Sequence, residues 1–442
     1  MIEFASLFLT LVTGIHPVEV VVTDPVASVE IVLDGQTVGV IEGEPWRINC
    51  NFGPDPLPHE LIAIARDTSE QTVATARQLI NLPRSKSEVR LVLLDSQTDA
   101  PSAVRLIIGS PLFDKPVRVA VELDGAPIKF ETPESIPLTE YDPTSAHIIT
   151  AEVEFTDGSA AHTAISFSRG NSGLTETELT AVPVAVDEDL DLTLDSTQNL
   201  FSADGRNITV HAIERSGGRV VMVRDQEASE HLSRMGQFRD GRISLTRRRE
   251  IWGNSLVRDG RGLEEVLFRT VVPIPIQSQS NQKSLQKSFW VSPFYRIEGA
   301  GLDWCASHVF PRPDELTGGH KDQQVADAVA IAGLQAAGSG RPRVVVLVIG
   351  DKSPDASLFG IEPTKRFLQA LNVPLVVWVT EPPAAERWRS GTLIKTPKQF
   401  SRASSEVIDL LKQQRVVWLE GMFLPGDVHL NSEQSGVRIA AQ

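Results

Sequence analysis

Cysteine is nearly absent: Cys50 and Cys305 are the only two in 442 residues. They fall in what read as different domains, so a disulfide framework is excluded and two free thiols are expected. Net positive charge is lacking too. The 42 basic and 57 acidic side chains leave −15 at neutral pH, which works against broad adhesion to nucleic acid or anionic lipid and favours divalent cations over phosphates as partners. Beyond the N-terminus no apolar run approaches the roughly 20 residues of a membrane span, so no integral span is expected. No GxSxG, P-loop, GxGxxG or CxxC pattern occurs, and without those hydrolase, nucleotide and zinc signatures the chain reads as a non-enzyme.

What is present is 41% hydrophobic residues, enough to bury real cores, in a length that predicts two to four domains. Residues 4–15 form an apolar run with the length of a signal-peptide core, followed by no clear cleavage site. Residues 1–16 are therefore expected to direct export to the periplasm, cell surface or medium. The alternative is a buried first strand in a cytoplasmic protein.

From 18 to 83 strand-like alternation is broken by turn residues at Asp24-Pro25, Asp34-Gly35 and Gly53-Pro54. About ninety residues later the pattern returns. VEIVLDGQTV at 29–38 is echoed by VAVELDGAPI at 119–128, and PHELIAIARD at 58–67 by AHIITAEVEFTDG at 146–158. Asp34-Gly35 and Asp124-Gly125 are hairpin signals, and His59 and His147 occupy matching positions, where local packing or hydrogen bonding is the expected role. Two tandem sandwiches, 17–85 and 86–170, are the economical reading. Their LDGQTVG, GEPW and HELIAIARD segments resemble bacterial immunoglobulin-like domains, the second copy lacking the Pro-Trp element; the resemblance implies a spacer or adhesive role.

A Gly- and Ser-rich linker at 171–178 precedes a change of character. Apolar runs then alternate with helical patterns, as in a parallel α/β sheet. Strands are predicted near 208–213, 219–224, 265–272, 344–349, 374–379 and 415–419, and helices near 226–236, 323–336, 363–371 and 404–413. Asp322 is available to cap the second helix. For 276–320 the sequence offers no clear element.

Three stretches, LTLDSTQNLFSADGRNITVHAIE, VVMVRDQEASEHL and QQVADAVAIAGLQAAGSGRPRVVVLVIGD with the KRFLQALNVPLVVWV that follows, resemble the bacterial VWFA-related group of von Willebrand factor type A domains over 179–425. The expected architecture is thus two all-β immunoglobulin-like sandwiches followed by an α/β doubly wound, von Willebrand A or Rossmann-like domain, with 426–442 as a C-terminal tail. In that family an ion sits at the strand C-termini, held by a DxSxS motif, a Thr and a later Asp. The resemblance implies Asp225, Ser229 and Asp351 as metal ligands, with Glu227 where the first Ser belongs and Thr317 the only candidate for the Thr. A longer carboxylate at Glu227 changes the geometry, so the ion would be Mg²⁺ or, with more ligands, Ca²⁺, or the site is degenerate and Asp225 and Glu227 merely offset a helix dipole.

Other clusters carry less. Cys305 and His308 are three apart with Asp303 nearby, the spacing of a thiol and its base on one helix face, against the commoner fate of a buried small hydrophobe. The basic run 246–262, with Trp252, reads as a solvated loop, and Asn207-Ile208-Thr209 is a sequon in a predicted strand. The function these readings imply is an exported, non-enzymatic, adhesion-type module binding a protein ligand, or else a structural spacer or assembly component of the cell envelope. An enzyme using Cys305 and His308, or a metal at Asp225 and Asp351, is the competing class.

Overall fold

The computed structural model describes the chain apart from residues 1, 7, 9–10, 23–25, 83–87, 95–100, 110–115, 140, 143–144, 146, 156–159, 168–178, 188–189, 198, 204, 215–216, 238–265, 277–287, 293, 298–300, 310–322, 339, 352–353, 382–387, 389–390, 432–435 and 442. It falls into two compact units, Met1–Pro83 with Phe359–Leu371, and Arg84–Leu358 with Asn372–Gln442. Thr317, Asp322, the linker 171–178 and the basic run 246–262 lie outside the described residues.

In the first unit β1 (Ile2–Phe4), β2 (Ile15–Val22) and β5 (Arg47–Asn51) form one sheet in the order β1-β2-β5. A second runs β4-β3-β6-β7, from β3 (Ser28–Leu33), β4 (Gln36–Ile41), β6 (His59–Arg66) and β7 (Thr72–Ile80). The core between them takes alternate residues: Val18 and Val20 from one sheet, Val29, Ile31, Leu61, Ala63 and Ala65 from the other. Asp34 and Gly35 both have positive φ, 50° and 74°, the pair of left-handed residues that a tight hairpin turn requires. The apolar N-terminal run belongs to this sandwich. Ile2 and Val12 are in its core, β1 pairs with β2, and the Asn81 amide grips Val12 through both its backbone groups at 2.7 and 2.8 Å.

The second unit begins with another sandwich. Here β8 (Glu88–Leu94), β9 (Ala103–Gly109) and β12 (Ile136–Pro137) face β10 (Pro116–Leu123), β11 (Ala126–Pro127), β13 (His147–Phe155) and β14 (Ala160–Phe167), in the orders β12-β9-β8 and β11-β10-β13-β14. Asp124 and Gly125 again have positive φ. All nine residues of β13 are buried. One face fills the sandwich core with Ile149, Ala151 and Val153, and the other is covered by the remainder of the unit.

Then come β15 (Leu179–Val186), β16 (Phe201–Ala203), β17 (Arg206–Asn207) and β18 (Val210–Glu214), followed by β19 (Arg219–Arg224), α1 (Gln226–Gln237), β20 (Leu267–Ile276), β21 (Ser288–Val291), β22 (Tyr295–Arg296) and α2 (Leu302–His308). The last three occupy the stretch that sequence alone leaves blank. Next are α3 (Val325–Ala337), β23 (Arg343–Ile349), α4 (Ile361–Ala370), β24 (Leu375–Val379), β25 (Thr392–Leu393), α5 (Pro397–Gln413), β26 (Gln414–Glu420), β27 (His429–Leu430) and β28 (Val437–Ile439).

Strands β19 to β25 build one sheet in the order β21-β20-β19-β23-β24-β25, with β22 against β20. Pairings along β20-β19-β23-β24-β25 are parallel, and β21 is antiparallel to β20. In order of appearance the strands lie 3-2-1-4-5-6, the order of a doubly wound sheet. β19 and β23 are buried along their whole length, as strands covered on both faces must be. Their terminal arginines reach carbonyls at helix ends: Arg224 donates to Ala306 O and to Val309 O at 2.7 Å, and Arg343 to Ala337 O at 3.2 Å. Burial lowers these guanidinium pKa values to about 9 and about 10.

Four expectations change. The strands predicted near 208–213 and 415–419 are β18 and β26, but neither joins the parallel sheet. They lie in a separate antiparallel sheet, β18-β26-β15-β28, facing β17-β16-β27 over its own core of Val182, Val184, Phe201, Val417 and Leu419. An apolar run such as RVVWL looks the same in either setting, because both bury it. The expected tail 426–442 supplies β27 and β28 to this body, with Val428 and Ile439 buried. The helix predicted at 363–371 is α4, whose segment belongs to the first unit, where Arg366 meets Asp55 at 2.7 Å. Helix α5 starts seven residues before the predicted 404 because Thr396 and Gln399 form a capping box ahead of Pro397.

Candidate functional site at the switch point of the parallel sheet

In a 3-2-1-4-5-6 sheet the crossovers leave in opposite directions from the first and fourth strands, opening a crevice at their C-terminal ends. Those strands are β19 and β23, and the residues just beyond them are Asp225 and Asp351. Asp225 is 0% exposed. One carboxylate oxygen accepts the Ala228 amide at 2.6 Å and the other the Gly350 amide at 2.8 Å. The side chain therefore caps α1 and ties β19 to β23 at once. Ser229 turns its hydroxyl back onto the Asp225 carbonyl at 2.7 Å. Glu227 lies against Gly350 so closely that a Cβ there would run into its carboxylate; glycine at 350 is a steric requirement of Glu227.

Further groups that sequence reading did not single out complete the crevice. Gln323 accepts the Gln226 amide at 2.9 Å through its side chain and the Ala356 amide at 2.7 Å through its backbone. Asp355 accepts the Val325 amide at 2.9 Å at the start of α3, and Asp327 reciprocates by accepting the Leu358 amide at 2.8 Å. The signal available in sequence was DAS at 355–357, an Asp and Ser two apart, the spacing of a side-chain-closed turn: Ser357 N donates to Asp355 at 3.1 Å. At the rim Leu358 is 82% exposed.

A hard cation needs several oxygen ligands aimed at one point. Here both Asp225 oxygens are directed at amides, Ser229 is directed at a carbonyl, and Glu227 is laid across Gly350. Among the described residues no three acidic, His or Cys side chains gather as a metal-ligating group. The residues present do not fit the ion that the family resemblance implies.

Cys305 sits 0% exposed within the core that also holds Val220 and Phe268, and burial, with Asp303 next, pushes its thiol up to about 12. Such a thiol ionises less readily than an exposed one, which works against a nucleophilic role for Cys305 beside His308. Asn207 of the sequon spends both ends of its amide on Asn199 and Asn431, each at 2.8 Å. His59 and His147 do what their repeat position suggested: each ring meets the carboxylate of its Asp-Gly turn, at 2.7 Å from Asp34 and 2.6 Å from Asp124.

The largest concentration of buried charge lies elsewhere, between the second sandwich and the sheets that follow. Glu152 on the outer face of β13 meets Arg219 and Arg341, the latter at 2.6 Å. Arg118 stands 3.8 Å from Glu152 and 3.9 Å from Glu154. Arg219 and Arg269 both stack on Phe294, at 4.5 and 3.8 Å. Burial first, then the crowding of Arg341 and Arg269, lowers the Arg219 pKa. Burial raises that of Glu214, against the opposing influence of Trp418 and Arg341. This is a joint holding two sheets together, and its members come from segments too far apart in sequence to be paired by inspection.

No family model matches the chain, and no curated protein matches it. Among solved structures it is similar to the fibronectin(III)-like modules of Clostridium thermocellum CbhA, at 15% identity over 18% of this chain and 93% of that one, with a TM-score of 0.16. It is similar also to the central fibronectin-III array of RIM-binding protein, at 13% identity over 45% and 83% with a TM-score of 0.20. A third is the Parabacteroides merdae beta-glucuronidase, at 12% identity and a TM-score of 0.16; this chain spans 24% of its length. These likenesses are too slight to bear on function. The β-sandwich character rests on the sheets themselves.

Proposed function

We propose that the chain is a non-enzymatic protein-binding module in which immunoglobulin-like sandwiches carry a divergent von Willebrand A-type layer, and that it engages its protein ligand at the C-terminal rim of the parallel sheet without a metal ion. The observation that carries this reading is the closure of the crevice from within: Asp225 is committed to the Ala228 and Gly350 amides. A locked, polar rim with an exposed leucine is suited to contact another protein surface and unsuited to hold a cation or a reacting group. The 3-2-1-4-5-6 strand order supports the von Willebrand A assignment, and the buried, high-pKa Cys305 supports the absence of thiol chemistry.

The test combines a melt with a capture. Chelator, Mg²⁺, Mn²⁺ and Ca²⁺ should leave the wild-type melting temperature unchanged, whereas a binding ion at 100 times its Kd would add about 2.7 kcal/mol. Capture from envelope and secreted fractions should return the same partner with and without chelator, and Leu358→Asp or Asp351→Arg should abolish it. Ion-dependent stabilisation, or capture indifferent to both rim substitutions, would overturn the proposal.

A further inference from the structure

The second sandwich meets the antiparallel sheet through the outer face of β13 and the turn after β10. Counting from the matched His59 and His147, Ile62 and Ile64 of the first sandwich stand where Thr150 and Glu152 of the second do. At the seam Ile148, Val416 and Trp418 pack as one cluster, with Ala181 and Ala212 against it. Glu214, the last residue of β18, is 5% exposed and lies against the Asp124-Gly125 turn, so that a Cβ on Gly125 would come 3.9 Å from its Cγ. The matching turn of the first sandwich has no such neighbour among the described residues: a Cβ on Gly35 would find no atom within 4 Å. One Asp-His clasp stands at a seam and the other does not.

Two carboxyl groups thus approach one another across the seam. Asp124 is answered by the His147 ring at 2.6 Å and by the Ile148 amide at 2.9 Å. The other nitrogen of that ring meets the Asp142 carbonyl at 2.6 Å. Both ring nitrogens therefore face acceptors, an arrangement that only the doubly protonated, cationic ring satisfies. The Tyr141 and Phe167 rings close around it. Glu214 has less support, because one of its oxygens is buried with no hydrogen-bond partner, a setting that costs a carboxylate far more than a neutral acid. Of the charges that act on it, Arg341 favours the ionised form and Asp124 opposes it. On the same face of the sandwich Glu152 is matched by Arg219 and Arg341, and Glu122 is buried two residues before the turn. We infer that the seam between the second sandwich and the antiparallel sheet is a pH-sensitive joint: protons on His147 and Glu214 hold the Asp124 turn against β18, and losing either sets an unbalanced carboxylate at the seam and loosens it. The pKa directions agree. Burial raises that of Glu214; burial opposes charge on His147, but the Asp142 carbonyl and the Asp124 carboxylate outweigh it. Raised folded values give stability that is full below the unfolded ones, about 4.3 and about 6.5, and that is lost as pH climbs through the folded ones. Acid tightens the joint and alkali loosens it.

Hydrogen exchange of the full chain tests it, with protection factors, which divide out the intrinsic rate, compared at about pH 5.5 and about pH 8.5. The Asp124 and Ile148 amides, which bond across the clasp, should lose about tenfold in protection over that interval, measured against the core amides of Val29 and Ile31 in the first sandwich. Glu214→Gln keeps the shape of the side chain and cannot ionise, so it should remove a large part of that loss; because Glu214 reaches these amides only across the seam, its effect reports the joint and not the clasp alone. Adding His147→Gln should remove the remainder. Asp124→Asn is the second variant should Glu214→Gln fail to fold, and it should flatten the profile likewise. Clasp protection that tracks the first sandwich at both pH values, or a loss left unaltered by Glu214→Gln or, in its place, by Asp124→Asn, would overturn the inference.

Discussion

The two sandwiches share a clasp and diverge in what lies over one sheet. In both, an Asp in a positive-φ hairpin turn meets the ring of a histidine on the strand paired with the one before the turn, and accepts the backbone amide that follows that histidine: Glu60 N donates to Asp34 and Ile148 N to Asp124, each at 2.9 Å. The clasp is local, so it survives in both copies. The outer face is not local. Glu152 is comfortable in the interior only because Arg219 and Arg341, contributed by β19 and the turn before β23, arrive to meet it. The alternation of a strand states which of its faces fills its own core; what covers the other face is decided by residues elsewhere in the chain.

The sharpest way to break the comparison is Glu152→Ala. It strands two buried guanidinium groups, and loss of one partner of a buried pair costs about 3–5 kcal/mol. At the matched position Ile64→Ala should cost under about 1 kcal/mol because the side chain is partly exposed. Chemical denaturation of both variants checks this, and equal losses would refute the joint. Next, Asp124→Ala and Asp34→Ala should each cost about 1–3 kcal/mol, the penalty for leaving hydrogen-bonding groups unpaired. The second sandwich should suffer more, since His147 is the more deeply buried ring.

A pH titration sharpens the same point. Burial opposes charge on His147, but the Asp142 carbonyl and the Asp124 carboxylate outweigh it, and its pKa is raised. A raised folded pKa means that the added stability is full below the unfolded value of about 6.5 and disappears as pH climbs through the folded value. The gap in stability between wild type and His147→Gln should thus be widest near about pH 6 and shrink towards about pH 9; a gap constant across that range would count against the charged clasp. The smallest effect is expected from Ile62→Thr with Ile64→Glu, which installs the second copy's residues in the first. On a partly exposed face it should shift stability by no more than about 0.5 kcal/mol.

Much of this architecture was legible in the sequence for identifiable reasons. The Asp-Gly turns announced both hairpins, the echo of HELIAIARD in HIITAEVEF announced the repeat, and β19, β23 and α1 came within a residue or so of their observed limits because their patterns are strong. Asp225 and Asp351 fell at the strand ends where the spacing put them, but spacing is silent on where a carboxylate points, and Asp225 points at amides. The joint at Glu152 was illegible because a Glu in an alternating strand looks like a residue facing water. The antiparallel body of β15, β18 and β26 was illegible because its partners are separated by the whole parallel sheet.

That separation has a consequence for how the molecule is made. Thr180 is bonded to Gly421, 241 residues away, and β26 is the strand lying between β15 and β18. Until the ribosome has delivered residues 414–420, β15 and β18 have no middle strand, and the earlier sheets must fold while that apolar core stands open. Loop closure over such a span is slow and exposes aggregation-prone edges meanwhile. A chain stopped short of β26 should therefore keep a folded first sandwich yet depend on chaperones for the rest, which makes residues 414–420 the latch that closes this core.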